Sequence, residues 1–235
     1  MSVKYYLIIG FSSAGSRVHL EQKPMQCSEV MRPMVVERNP DQTRKTLLMA
    51  AFQEIHRNGF KRASLDSILE NTGLTKGALY HHFPNKQALG YAVVDELLCS
   101  MAYEIWVRPM VGADDPITAL QSQLAAVAAQ PQQDLIVHGC PLNNLSQEMS
   151  GLDEGFRTRL DAAFSGWRDG VAACLEHGKT QGTVRADVDS QQAGTFIIAS
   201  MEGCIGMAKN ARSVEVLRQC SEGLSQYLET LRAPQ

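Results

Sequence analysis

Apolar residues recur with a helical period along most of the chain from residue 41 onward. Leu65, Ile68 and Leu69 fall at positions i, i+3 and i+4, and similar spacing continues over residues 87–106. This spacing places the apolar side chains on one face of a helix. After residue 86, no run of alternating apolar and polar residues indicates a strand. The chain is therefore predicted to be all-α.

Proline and glycine residues divide this helical pattern into segments. Pro109, Gly112 and Pro116 follow one long segment, and a polar turn at residues 182–189 separates two others. Residues 131–139 are predicted to form a loop. The predicted helices are a short one between Ser64 and Gly73, and others at 43–58, 76–83, 87–106, 117–129, 141–149, 155–180, 191–209 and 214–231.

Residues 64–86 combine two short helices with a tight turn. Ser64 and Thr75 are suitable N-caps, because their hydroxyls can accept hydrogen bonds from backbone N–H groups in the first helical turn. Gly73 favours the left-handed conformation that ends a helix. Gly77 keeps the second helix thin enough to approach a groove floor. This order is typical of a helix-turn-helix that places its second helix in the DNA major groove.

Charge is unevenly distributed along the chain. Residues 41–90 carry seven Lys and Arg against four Asp and Glu, and residues 91–235 carry ten against eighteen. The balances are +3 and −8, and the first forty residues add +2 to give the net charge of −3. A basic head on an acidic body suits a protein that binds nucleic acid with one end. Because three net charges neutralise few phosphates, tight binding favours two heads in a dimer.

The motif G-L-T-K-G-A-L-Y-H-H-F-P-N-K at residues 73–86 closely resembles the TetR family of bacterial transcriptional repressors. The resemblance extends from Thr43 to Leu89. It implies an N-terminal three-helix helix-turn-helix DNA-binding domain at 41–88 and a C-terminal helical ligand-binding and dimerisation domain at 89–235. The residues it implies for phosphate contact are Ser64, Thr75, Tyr80, His81 and Lys86, and those closest to the bases are Lys76, Gly77 and Ala78.

The resemblance also implies the partners of the protein. We expect a cytoplasmic homodimer that binds a pseudo-palindromic double-stranded DNA operator and is released by a small-molecule or electrophile effector. No membrane partner, cofactor, metal ion or catalytic residue is expected.

Residues 1–40 do not fit this organisation. The apolar run that begins at Tyr5 is near the lower length limit for a secretory signal and is too short to span a membrane. We interpret this segment as a misassigned extension, with translation starting at Met31 or Met34. The alternative is a disordered arm.

The last two predicted helices carry the expected dimer interface. One has an apolar face interrupted by small residues, which allow close helix approach, and the other supplies leucines. Intrachain packing would explain the same pattern, and the family resemblance favours a dimer seam. The interface candidates are Phe196, Ser200, Gly203, Leu217 and Leu224.

Cysteines occur at positions 27, 99, 140, 174, 204 and 220 without C-x-x-C spacing, so neither a zinc site nor a disulfide framework is indicated. Cys140 precedes a helix that begins with Pro141, and an N-cap position lowers a thiol pKa. The phrase H-G-C-P-L-x-N-L at 138–145 resembles a TetR subgroup that regulates genes for handling electrophiles. Cys140, His138 and Lys209 are therefore the candidate effector-sensing residues, with Lys209 expected to reach the same pocket.

Three alternatives stay open at this stage. Cys140 has a purely structural role if the effector is a non-covalent hydrophobic ligand. An all-helical enzyme is a second possibility, although no nucleophile–base–orienter set is evident in the sequence. A purely architectural DNA binder is the third, and it would have no effector cavity.

Overall fold

The computed structural model describes residues 40–129 and 133–234, and the regular elements within these ranges are helices. The predicted all-α class is confirmed. The interpretation of residues 1–39 lies outside the described residues. The helices are α1 (Pro40–Asn58), α2 (Leu65–Glu70), α3 (Lys76–His82), α4 (Lys86–Ala92, with its continuation described below), α5 (Pro116–Ala129), α6 (Gln133–His138), α7 (Pro141–Met149), α8 (Glu154–Thr180), α9 (Ser190–Ala211) and α10 (Val214–Thr230).

Helices α1–α3 form a helix-turn-helix head around a small apolar centre. Leu47 and Phe52 of α1, Ile68 of α2 and Leu79 of α3 are all almost fully buried. The head is not isolated, because one continuous cluster of buried side chains joins it to the rest of the chain. The boundary at residue 88 therefore stays a prediction.

Helix α4 continues without a break beyond its regular first part. It is π-helical over Val93–Leu98, α-helical over Cys99–Ala102, π-helical over Tyr103–Val107 and 3₁₀-helical over Arg108–Met110. Wider π turns inside a helix are frequent at functional sites. The long helix links the head directly to the C-terminal region.

The prediction of a loop at residues 131–139 is wrong for residues 133–138, which form α6. Leu135 and Ile136 are buried in a cluster with Ile205 of α9 and Leu217 of α10. Burial against distant helices stabilises a six-residue helix that local sequence alone would not. Gly139, with a φ of +79°, follows its end.

Helices α8, α9 and α10 pack with α5 into the C-terminal bundle. Phe156, Leu160 and Leu175 of α8 and Ile197 of α9 are essentially inaccessible to solvent. None of the described helices combines the length and apolar character needed to cross a membrane.

Candidate DNA-binding face and ligand cavity

Two side-chain caps and one left-handed glycine fix the geometry of the helix-turn-helix. The Ser64 hydroxyl accepts from the Ser67 N–H at 2.9 Å, and the Thr75 hydroxyl accepts from the Ala78 N–H at 3.2 Å. Gly73, with a φ of +65°, lies in the turn between the two helices. The predicted caps are confirmed, and the left-handed glycine explains why the chain can turn sharply there.

Most of the predicted DNA-contacting side chains lie on the outer face of α3. Leu79 of this helix is completely buried, whereas Tyr80 is 52% exposed and has no role in the apolar centre. The exposed positions are Thr75, Lys76, Gly77, Tyr80 and His81, with Ala78 partly exposed beside them. Lys76 forms an ion pair with Asp66 of α2 at 2.7 Å. This pair is open to solvent, so the Lys76 ammonium can exchange Asp66 for a phosphate.

Lys86 is placed differently from the other candidates. Its Nζ donates to the Lys61 carbonyl at 3.2 Å and lies 4.7 Å from the centre of the Phe60 ring. Partial burial lowers the pKa of this ammonium group. A phosphate contact from Lys86 would therefore compete with contacts inside the head.

A cavity of about 240 Å³ lies inside the C-terminal region, and we call it the tryptophan cavity after Trp106 and Trp167. Its walls come from α4, α5, α6, the start of α7, α8 and α9, and most of them are apolar. The lining includes Leu98, Met101, Ala102, Glu104, Ile105, Trp106, Gln123, Leu135, Cys140, Leu142, Trp167, Glu202 and Ile205.

Glu202 is the most unusual residue of the tryptophan cavity. It is only 7% exposed, and among the described residues neither carboxyl oxygen has a hydrogen-bond partner. Burial raises the pKa of Glu202 to about 7. The Cys140 thiol lies beside this carboxyl and partly offsets the effect of burial on its pKa, but the two groups are outside hydrogen-bonding geometry. A carboxylate at this position is desolvated and has no hydrogen-bond donor among the described residues to compensate.

Trp167 is a second unsatisfied polar residue at the same cavity. Its side chain is 4% exposed, and the Nε1–H has no acceptor within the described part of the chain. The Trp106 and Trp167 rings are nearly parallel, with centroids 6.3 Å apart. The cavity therefore presents one unsatisfied N–H donor and one unsatisfied carboxyl within a largely apolar wall.

Cys140 occupies the N-cap position of α7, as the sequence predicted, but without the predicted electrostatic effect. Its thiol makes no capping hydrogen bond. Burial, together with the charge of Glu202, raises the pKa of this thiol well above its usual value. The expectation of a lowered thiol pKa is wrong, because desolvation outweighs the helix dipole.

Two family profiles match the chain. One, described as "Bacterial regulatory proteins, tetR family", matches residues 47–93, and another, described as "Tetracyclin repressor-like, C-terminal domain", matches residues 116–224. The chain belongs to the TetR family of bacterial transcriptional regulators. The families and relatives that match are transcriptional regulators and not enzymes.

Several relatives align with about three quarters of this TetR-family chain. It is 29% identical to an uncharacterised regulator from the lacX 3′ region of Lactococcus lactis, over 74% of this chain and 87% of that one. It is 28% identical to the repressor DhaR of Mycobacterium sp. strain GP1, over 75% of this chain and 87% of that one. The structure of a TetR regulator from Chloroflexus aurantiacus superposes with a TM-score of 0.72 at 26% identity, and the match covers 83% of this chain and 98% of that one.

In this TetR-family chain, His138 and Lys209 do not line the tryptophan cavity, which contains Cys140. The prediction that Lys209 reaches the same pocket as Cys140 is therefore wrong. His138 and Lys209 both line an outer cleft that also contains His56, which we call the histidine cleft. Lys209 lies two helical turns beyond Glu202 on α9, about 10 Å along the helix axis. Its Nζ donates to the Asn144 Oδ1 atom at 3.1 Å.

Helix α7 connects the tryptophan cavity to the DNA-binding head. Cys140 at its start borders the cavity, whereas Glu148 near its end accepts hydrogen bonds from two head N–H groups. These donors are Phe60 at 2.7 Å and Lys61 at 2.9 Å. The His56 Nε2 atom also lies 2.8 Å from the Gly139 carbonyl oxygen. Because burial lowers the pKa of His56, this contact joins the head to the turn before α7 through a largely neutral ring.

The predicted dimer residues fall into two groups. Phe196 is 50% exposed, Ser200 is partly exposed, and Gly203 is exposed with open space around its Cα. Leu217 and Leu224 are 4% and 5% exposed and pack inside the same chain. The interface prediction for these two leucines is corrected, because α10 turns them toward its own bundle.

Sequence reasoning missed Glu202 and Trp167. One signal was present, because Glu202 is the one acidic residue between Asp189 and Glu215. Its spacing from Ile198 and Ile205 places it on the apolar face of α9. An isolated carboxylate on a buried face is uncommon and indicates a special role.

Proposed function

We propose that this TetR-family protein is a homodimeric transcriptional repressor that leaves its operator when a small molecule occupies the tryptophan cavity. The observation that carries the proposal is the shared wall: α4 and α7 both border the cavity, and both contact or continue into the head. A ligand that displaces either helix would therefore move the DNA-binding surface.

The DNA-binding part of the proposal rests on the outer face of α3. Its exposed polar residues surround Gly77. Among the described residues, the Thr75 hydroxyl alone would lie within 4 Å of a side chain's Cβ at this position. The face is therefore thin enough to enter a major groove. Lys76, Gly77 and Ala78 are proposed to lie against bases, and Tyr80 and His81 against phosphates.

A dimer supplies the second head. The exposed face of α9 around Phe196 and Gly203 allows a second copy to approach closely, which suits the homodimers typical of the family. Two heads on one two-fold axis would read a pseudo-palindromic operator with half-sites about 34–36 Å apart. Gly203→Arg is expected to produce monomers in analytical ultracentrifugation and to weaken operator binding.

Release requires the ligand to favour a second arrangement of the heads. A ligand with equal affinity for both arrangements shifts nothing, however tightly it binds. The proposed mechanism is that ligand in the cavity favours α4 and α7 positions that move the heads out of register with successive grooves.

A non-covalent effector agrees better with the geometry than an electrophile captured by Cys140. One observation supports capture of an electrophile, because Cys140 borders the cavity. The raised pKa of its thiol opposes it, since the thiolate is the reactive form. The resemblance to the electrophile-responsive subgroup stays a prediction.

The proposal is tested by a gel shift with DNA flanking the gene. We expect a salt-dependent complex with the dimer, and release by small molecules that quench tryptophan fluorescence. The absence of binding at every salt concentration would reject the regulator. Release by a thiol-reactive electrophile in wild type but not in Cys140→Ser would support the cysteine version instead.

A further inference from the structure

We infer that the tryptophan cavity binds a compact apolar cation, with its positive group on the Glu202 carboxylate and its body against Trp106 and Trp167. The inference rests on the proposed function, because it names the chemical class of the effector for the same cavity. Three features of the cavity carry it: its charge, its unsatisfied carboxyl and its paired aromatic rings.

The charge of the lining is entirely acidic. Within residues 40–129 and 133–234, no Lys, Arg or His lines the tryptophan cavity, whereas Glu104 and Glu202 both do. Glu104 already has a cation, because it forms an ion pair with Arg108 one helical turn away. Glu202 is left as the unpaired acidic group. An anionic ligand would meet like charge here, and a purely apolar one would leave the carboxyl unsatisfied.

The carboxyl of Glu202 is placed where water cannot compensate for it. It is 7% exposed, and both oxygens lack partners within the described chain. Buried unpaired carboxylates are costly to the folded state, so a buried group of this kind calls for an explanation. A ligand ammonium group would supply the missing hydrogen bonds and the opposite charge together.

The aromatic pair suits the rest of such a ligand. Trp106 and Trp167 are nearly parallel at 6.3 Å between centroids, and both line the cavity. Indole faces attract cations as well as apolar groups. The volume of about 240 Å³ lies below the usual ligand-pocket range of roughly 300–1,000 Å³. A ring with a short aminoalkyl chain fits these limits better than a large drug-like molecule.

Ionisation of Glu202 gives the interaction a pH dependence. Burial raises the pKa of Glu202 to about 7, so the carboxyl is partly protonated near neutrality. The other titratable residues described along the cavity wall are Cys140, whose thiol lies beside Glu202, and Glu104, whose charge is paired with Arg108. Affinity for an ammonium ligand is therefore expected to fall as the solution becomes more acidic than this pKa.

The experiment uses three probes of nearly equal size: phenylbutylamine, phenylbutanol and phenylbutanoate. Tryptophan fluorescence reports occupancy, because the chain has 2 tryptophans and both line the cavity. The amine is expected to bind at least about tenfold more tightly than the alcohol, which corresponds to one ion pair of about 1.4 kcal/mol. The carboxylate is expected to bind most weakly.

Matched variants assign the preference to one side chain. Glu202→Gln should reduce the difference between amine and alcohol to about threefold or less, with alcohol affinity retained, because an amide supplies no opposite charge to the ammonium. Glu104→Gln should keep the full preference for the amine. Between about pH 8 and pH 6 the amine should lose up to roughly tenfold in affinity, whereas the alcohol should not.

Opposite results would overturn the inference. These are equal binding of amine and alcohol, tighter binding of the carboxylate, no binding of any probe, or an amine preference that survives in Glu202→Gln. DNA binding separates this inference from the proposed function. If the amine binds without releasing DNA, the control of DNA binding by the cavity is rejected and the cation preference stands. If phenylbutanoate releases DNA by binding in the cavity, the cation preference is rejected and the proposed function stands.

Discussion

The DNA-binding head and the tryptophan cavity differ in whether their polar side chains have hydrogen-bond partners. In the head, the hydroxyls of Ser64 and Thr75 cap the helices they precede. In the cavity, the carboxyl of Glu202 and the indole N–H of Trp167 have no partners among the described residues. A satisfied group fixes one structure, whereas an unsatisfied one favours any ligand that completes it.

This difference separates two requirements of a ligand-controlled DNA reader. The head has to keep one shape, and each cap contributes about 1 kcal/mol to that end. Under the proposed function the cavity has to respond to a ligand, and its Glu202 carboxyl has no partner until one binds. Stability and responsiveness are therefore placed in different parts of the chain.

The largest expected effect comes from placing a carboxylate on the outer face of α3. Gly77→Glu should weaken operator binding about 100-fold or more, roughly 3 kcal/mol, because its charge and bulk would meet the phosphates and the groove floor. The fold should remain, since in the described part of the chain a Cβ at Gly77 would meet only the Thr75 hydroxyl, at 3.8 Å. Fluorescence anisotropy with labelled operator measures the change.

Gly166→Glu is the matched control for this substitution. It adds the same charge on α8, where a Cβ would meet no atom of residues 40–129 or 133–234 within 4 Å. Its operator affinity should stay close to wild type. If both variants bind equally well, the outer face of α3 does not contact DNA.

The second expected effect is a gain in stability when the unsatisfied carboxyl is removed. The folded-state pKa of Glu202, about 7, lies above its ordinary value of 4.5. The folded protein therefore holds this proton more tightly, and wild type loses stability as pH rises from about 4.5 to about 7. Glu202→Gln lacks that loss and should be more stable by about 3 kcal/mol above pH 7.

Urea unfolding near pH 5 and pH 8 measures this difference. The two proteins should converge at the lower pH and diverge at the higher one. A variant that is less stable than wild type at both values would show that Glu202 has a partner in the folded protein.

The third prediction concerns the connection between the two regions. Glu148→Ala removes the acceptor for the Phe60 and Lys61 N–H groups. Operator binding without ligand should persist, but release by ligand should weaken about fivefold, or about 1 kcal/mol of coupling. Operator titrations at increasing ligand concentration measure it. Gln147→Ala, an exposed neighbour on α7, should release normally, and equal behaviour of the two variants would contradict the role of α7.

The smallest expected effect is at Cys140. Because burial and Glu202 raise the pKa of its thiol, alkylation by iodoacetamide near pH 8 should be at least about tenfold slower than in urea-unfolded protein. The rate should increase with pH. Peptide mass spectrometry follows the modification, and rapid labelling of folded Cys140 would restore the cysteine-sensor hypothesis.

The sequence predicted the head well because its determinants are local. The caps at Ser64 and Thr75 bond to N–H groups three residues away, and the Gly73 turn depends on its own φ. The cavity depends on distant contacts. Nothing near Glu202 in sequence indicates Trp167, and α6 forms because Leu135 is buried against α9 and α10.

Dependence on distant contacts also explains why the predictions for the Cys140 pKa and for two interface leucines were wrong. Cys140 was placed correctly at the start of a helix, but its pKa depends on a carboxyl from α9. Leu217 and Leu224 were placed on the apolar face of a helix, yet periodicity does not say whether that face meets its own chain or a second copy.

The central claim is that occupation of the tryptophan cavity and DNA binding by the head are energetically coupled. The most direct test measures operator affinity with and without phenylbutylamine, and phenylbutylamine affinity with and without operator. Coupling is reciprocal, so the account predicts the same ratio from both directions, about tenfold or more. A ratio of one, with the cavity demonstrably filled, would contradict it.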